Sequence, residues 1–112
     1  MYYIIEKDCL YLYRHRVDHL ANPKSSYKMK IPIVHNLRLM QIKEKEYKGY
    51  GNVYNFKIEE FRDYGPSELG KFGSVTKDGV QQFRDRITQI ILKKRDEVSI
   101  YIYIYSIVSD MF

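Results

Sequence analysis

The apolar residues of this 112-residue chain change their period once, at Thr76. Before that point they tend to recur at alternate positions, the spacing of strands with one buried face. After it, Val80, Phe83, Ile87 and Ile90 fall at i, i+3, i+7 and i+10, the spacing of one helical stripe. A chain this short supports one core at most. A run of strands followed by a single amphipathic helix has few ways to close that core, and laying the helix across the apolar sheet face is the simplest. The expectation is a mainly β domain of about six to seven antiparallel strands, a barrel or sandwich capped by one C-terminal helix.

Within the strand region, "YYIIEKDCLYLYR" reads as a hairpin, with Tyr2–Glu6 and Leu10–Arg14 joined by a tight turn at Lys7–Asp8. Asn22-Pro23 and a Ser pair mark "VDHLANPKSS" as a loop. In "YKMKIPI", Tyr27, Met29, Ile31 and Ile33 share the inward phase and Lys28 and Lys30 the outward one, while Pro32 suits an edge or a strand end. "LRLMQIKEKEY" is one further strand, "KGYGN" a turn, and "VYNFKIEEF" a strand with Tyr54, Phe56 and Ile58 inward. "RDYGPSELG" reads as a loop before a short strand whose apolar points are Leu69, Phe72 and Val75. Thr76 is the expected N-cap of the helix, Asp78 favours its first turn, and Lys93, Lys94 and Arg95 are placed to close its negative end.

Charge is unevenly spread. The formal net charge is +5. Residues 1–48 hold ten Lys/Arg against five Asp/Glu, whereas residues 49–112 balance at nine each. A basic first half suits an anionic partner such as a membrane surface or nucleic acid, and it also suits an ordinary solvated surface. The single cysteine, Cys9, permits no disulfide framework and reads as a small packing residue. Glu6, Lys7 and Asp8 interrupt the apolar start, so no signal peptide is expected and a cytoplasmic protein is.

The strand order and these residues resemble a pleckstrin-homology (PH) domain. The family's closing helix carries an aromatic residue, usually Trp, with an aliphatic four positions on; "QQFRDRITQIILKK" offers Phe83 and Ile87 there. "LGKFGSV" is similar to the family's last strand and "VYNFKI" to the one before it, with Phe56 at the usual Phe position. "YYIIEKDCLYLYRHR" and "YKMKIPI" look most like PH domains that follow the catalytic domain of Dbl-type Rho guanine-nucleotide exchange factors. The resemblance covers about residues 2–95 and begins at the family's second strand. The first strand and the loop after it, which carries most of the basic grip in lipid-binding members, have no counterpart, so no phosphoinositide motif transfers.

The resemblance divides the chain into a partial PH-like domain over residues 1–97 and an atypical tail over residues 98–112. The tail contains "SIYIYIYSIV", a ladder of Ile and Tyr with strong strand propensity and no charge from Ser99 to Ser109. At about 20 residues for a bilayer-spanning helix, the ladder is too short to cross. One expectation is a strand over Val98–Val108 that folds back into the missing first-strand slot and covers an open edge. The other uses the genetic code: Val-Ser can be written GTA-AGT, an intron start, and the Ile-Tyr repeat as an unbroken AT repeat. The coding exon would then end at Glu97, with Met1 an internal methionine.

No catalytic constellation emerges. His15, His19 and His35 lack metal-ligand spacing, Glu44/Glu46 and Glu59/Glu60 read as solvated strand ends, and "GYGN" is a turn rather than a phosphate loop. The expectation is no enzyme, no cofactor and no metal. The candidate surface is basic, Arg14, Arg16, Lys24, Lys28 and Lys30, positioned for anionic lipid headgroups. Val80, Phe83, Ile87 and Ile90 are the expected helix anchor. The resemblance implies a non-catalytic module, peripheral at the membrane, that targets or regulates a larger signalling protein, with a phosphoinositide and a Rho-type GTPase or another signalling protein as partners. Two alternatives stay open. One is a small nucleic-acid-binding protein using basic strands and exposed Tyr. The other is a PTB-like module taking a peptide between the helix and the adjacent strand.

Overall fold

The computed structural model describes the backbone of every residue except Met1, Tyr50, Met111 and Phe112, and the side chains of residues 2–49 and 51–99. The chain is mainly β, with a long C-terminal helix. It divides into two compact units, Met1–Ile33 and Val34–Phe112. Its described strands form two antiparallel sheets rather than one closed barrel.

The first unit is a three-stranded meander of β1 (Tyr2–Glu6), β2 (Cys9–Tyr13) and β3 (Met29–Pro32). Lys7 and Asp8 both take positive φ, 51° and 58°, which gives the two-residue turn the hand that matches the strand twist. Leu10, Leu12, Ile31 and Ile33 are buried, as the alternation requires. Pro32 lies in an edge strand, where its missing N–H costs no ladder bond. Met29 departs from the expected inward set and is 37% exposed at the start of β3.

The expected loop between β2 and β3 contains a helical turn, α1 (Arg16–Ala21). Asp18 holds its start by accepting the His15 backbone N–H at 3.1 Å. Ser26 Oγ lies 2.6 Å from the carbonyls of both Asp18 and Asn22 and closes its end. The sequence reads as a loop because Asn22-Pro23 and the Ser pair dominate its composition, but those same short polar side chains are the ones that cap a turn.

The second unit holds β4 (Leu37–Leu39), β5 (Lys43–Tyr47), β6 (Gly51–Arg62), β7 (Gly65–Ser74) and α2 (Lys77–Asp110). Ile58 pairs with both Leu39 and Gly70, and Tyr54 with both Glu44 and Ser74. A strand has two edges, so β4 and β5 share the edge opposite β7. They are the single strand expected over residues 37–47, interrupted by a bulge: from Leu39↔Ile58 to Lys43↔Asn55 the first strand advances one residue more than β6.

The expected loop "RDYGPSELG" is instead a tight turn at Asp63–Tyr64 and the first half of β7. β7 pairs only with β6 among the described strands, so Pro66 is tolerated within it. Val75, an expected apolar point, falls past the end of β7 and is 66% exposed.

Core packing in this unit joins Leu37, Phe56, Ile58 and Phe72 of the sheet to Val80, Ile87 and Ile91 of α2, all buried. The Phe56, Phe72 and Phe83 rings form a triangle with centroids 6.1–6.3 Å apart. Val80 and Ile87 of the expected helix anchor are fully buried; Phe83 and Ile90 are half-buried, and Ile91 takes the place expected of Ile90.

The described residues of the tail form no strand. Val98–Val108 continues α2 as helical backbone, so Lys93, Lys94 and Arg95 lie inside the helix rather than at its end. A helix already nucleated adds one hydrogen bond for each residue it fixes, whereas a strand needs a partner strand to satisfy its backbone.

Candidate functional site

All five residues of the expected basic surface belong to the first unit, and all five are exposed. Arg14 follows the end of β2, Arg16 opens α1, Lys24 lies in the turn after it, and Lys28 precedes β3. Only Lys30 sits within a strand. It pairs with Tyr11 across the sheet and places its ammonium 5.7 Å from that ring. Lys28 is two residues earlier, in the same phase, and its backbone N–H donates to the Leu12 carbonyl at 2.7 Å. The structure therefore groups Lys28 and Lys30 beside β2. Arg14, Arg16 and Lys24 are placed along the β2–β3 connection. None of the five forms an ion pair with a described carboxylate.

Beneath this surface is an aromatic cluster that the sequence pattern did not single out. Tyr13 is 1% exposed and donates its hydroxyl to the Pro23 carbonyl at 2.6 Å. Its ring lies 5.0 Å from His19, 6.4 Å from Tyr2 and 6.4 Å from Tyr11, and Tyr27 meets Tyr11 edge-on at 5.4 Å. The hydroxyl–carbonyl bond pins the α1 connection to the sheet, so the cations of that connection are carried on an anchored segment. Burial pushes the Tyr13 phenol above its ordinary range, and the neighbouring Tyr11, Glu6 and Tyr27 add to the shift. A hint was present in the sequence: Tyr11 and Tyr13 alternate with Leu10 and Leu12, so both faces of β2 are apolar.

In the second unit, α2 runs beside the outer edge of β4. Arg84 donates from Nε to the Met40 carbonyl at 3.0 Å and from a terminal nitrogen to that of Leu39 at 3.2 Å. Arg95 donates in the same way to His35 at 3.0 Å and Leu37 at 3.1 Å. Asn36 and Arg38 turn toward β6, as does the N–H of Met40, which leaves the carbonyls of residues 35, 37 and 39 on the outer edge; that of Met40 joins them where the bulge begins. The two guanidinium groups occupy all four. A peptide adding a strand to β4 would have to displace both arginines, so the helix–strand groove is closed to that mode along β4.

Farther along, Gln41, Glu44, Tyr54, Lys77 and Gln81 line a recess near the start of α2. Its carboxylate is already engaged: Glu44 accepts from Asn52 at 2.6 Å and from the Tyr54 hydroxyl at 3.4 Å.

Among the described residues no helix is long and apolar enough to cross a membrane. No protein-family model matches the chain, and no curated protein or solved structure matches it.

Proposed function

We propose that this chain is a non-catalytic PH-like module that targets or regulates a larger signalling protein by binding anionic lipid headgroups, and protein partners with them, at Arg14, Arg16, Lys24, Lys28 and Lys30. One observation carries the reading. Five cations lie within seventeen residues of chain, exposed and unpaired with any described carboxylate, along a connection anchored by Tyr13 and into the strand that follows it. Near an anionic bilayer each such residue contributes about 1 kcal/mol, and a preordered connection loses less entropy on binding.

Support for the PH-like part comes from the element order. A three-stranded antiparallel meander, a second three-strand meander with one interrupted strand, and a closing helix follow one another as they would in a PH domain without its first strand. A Rho-type guanine-nucleotide exchange factor is the proposed parent, on the resemblance of Tyr27, Lys30 and Ile33 and of the hairpin before them. The nucleic-acid alternative loses ground because Tyr13 is buried and Tyr11 lies half-buried beneath Lys30.

Vesicle sedimentation tests the reading. Phosphatidylcholine vesicles carrying phosphatidylinositol 4,5-bisphosphate should pull down the chain at low salt, and pure phosphatidylcholine should not. Exchanging all five cations for Gln should abolish the binding. Equal sedimentation by that variant, or none by the parent chain even with a first strand supplied, would overturn it.

A further inference from the structure

A second cationic surface lies on the sheet of the other unit, away from the five residues above in sequence and on different elements. The face of β6 that carries Asn55, Lys57 and Glu59 borders a basin of about 440 Å³, with Arg38, Lys43 and Lys71 also lining it. Each cation comes from a different strand: Arg38 from β4, Lys43 from β5, Lys57 from β6 and Lys71 from β7.

Two features of this face mark it out. Lys57 and Lys71 are direct cross-strand partners, and like charges placed opposite each other destabilise a sheet. Only one of them has a carboxylate near: Lys57 reaches Glu68 at 3.6 Å, and both groups of that pair are about half exposed. The second feature is Asn55, the one polar residue among the buried described side chains at 8% exposure. Its amide forms no hydrogen bond with any other described residue. Its polar atoms are not sealed off from solvent, so the amide stands open to a ligand in the basin.

The neighbour of Asn55 on β7 keeps the floor of the basin low. Gly73 pairs with Asn55, and a Cβ on it would stand 2.8 Å from the Tyr54 carbonyl and 3.1 Å from the Asn55 Cβ. Lys43 pairs with Asn55 from the other side. The row Lys43–Asn55–Gly73 and the next row, with Lys57 opposite Lys71, thus set an amide donor low between ammonium groups on neighbouring strands.

We infer that this basin binds an anion bearing two phosphate groups or a diphosphate, with the Asn55 amide donating from the floor and Lys43, Lys57 and Lys71 surrounding it. Four cations line the basin against one carboxylate, which matches an anion with two phosphoryl groups better than one. The guanidinium of Arg38, held 5.9 Å over the Phe61 ring, adds a planar donor at the rim. Glu59, also in the lining, leaves the cations in excess and disfavours a ligand with a single negative charge. The same chemistry is offered by a soluble diphosphate and by a bisphosphorylated lipid headgroup.

Calorimetric titration of the full chain with inorganic pyrophosphate, against monophosphate as control, tests the site. Pyrophosphate should bind at least tenfold more tightly than monophosphate, and Lys57→Gln/Lys71→Gln should weaken it at least tenfold. That variant should melt close to the parent chain, because it relieves a repulsion and gives up only a half-exposed ion pair. Asn55→Asp, which keeps the volume and places a carboxylate on the floor, should abolish binding. Lys24→Gln/Lys28→Gln/Lys30→Gln should leave it unchanged, which separates this site from the surface of the proposed function. Vesicles carrying phosphatidylinositol 4,5-bisphosphate distinguish the source: sedimentation lost in Lys57→Gln/Lys71→Gln assigns the site to a headgroup, and sedimentation unaffected by it assigns a soluble ligand. Absence of pyrophosphate binding, or equal binding by the parent and Lys57→Gln/Lys71→Gln chains, would overturn the inference.

Discussion

Arg84 and Arg95 stand about three turns apart on α2, and this spacing brings their guanidinium groups to successive outward carbonyls of a single strand edge. Each fork spans two carbonyls, so the helix satisfies an edge that otherwise offers itself to another chain.

Removing Arg84 should therefore do two things. Arg84→Ala should lower unfolding free energy by about 2 kcal/mol, the scale of a charge-assisted hydrogen bond lost from a partly buried site. Arg95→Ala should cost less, because its contact at His35 is exposed. The double variant should self-associate through the opened β4 edge. Urea denaturation and size-exclusion chromatography report the two effects; a monomeric double variant would mean the arginines are not edge guards.

On the core side of α2, Ile87→Ala and Ile91→Ala should each cost about 2–5 kcal/mol, since both side chains are buried. Ile90→Ala, at a half-buried position, should cost clearly less. Chemical denaturation of the three variants orders them directly.

Gly73→Ala should destabilise the chain by about 1–3 kcal/mol. Its new methyl would meet the Tyr54 carbonyl, a backbone atom that cannot swing aside. Gly65→Ala faces open space, so its cost comes from a φ of +111° alone, a conformation L side chains rarely adopt. Comparing the two separates crowding from backbone strain.

Tyr13 predicts the alkaline limit of stability. Its folded pKa lies above the unfolded value of about 10, so the folded state favours the neutral phenol. The associated stability is complete below about pH 10 and is lost as pH rises through the folded pKa. Ultraviolet titration should reveal one tyrosine ionising above the exposed ones, and Tyr13→Phe should remove it. The same variant forfeits the hydrogen bond to Pro23, at about 1 kcal/mol.

Much of the fold was legible in the chain itself. The period of two placed Ile31, Ile33, Phe56 and Ile58 inward, and the period of 3.6 placed Val80 and Ile87, because a side chain's face follows from its own backbone geometry. The Lys7–Asp8 turn was readable for the same reason. The exposure of the five cations on the first unit was readable too, since solvated charge is the ordinary fate of Arg and Lys.

What the tertiary structure alone decided are relations between residues far apart in sequence. Ile90 and Ile91 fit the helical stripe equally well from Ile87, and only the line of α2 across its sheet selects Ile91. Arg95 was expected only to close the negative end of the helix, and nothing local marked Arg84; their acceptors lie 44 to 60 residues away. Asn55, Lys57 and Lys71 carried no motif, and strand register brought them together. The tail's alternation of Ile and Tyr promised a strand, but period and propensity supply no partner, and the backbone continued the helix it followed. Local pattern fixes which way a residue faces; what it meets there is set by packing.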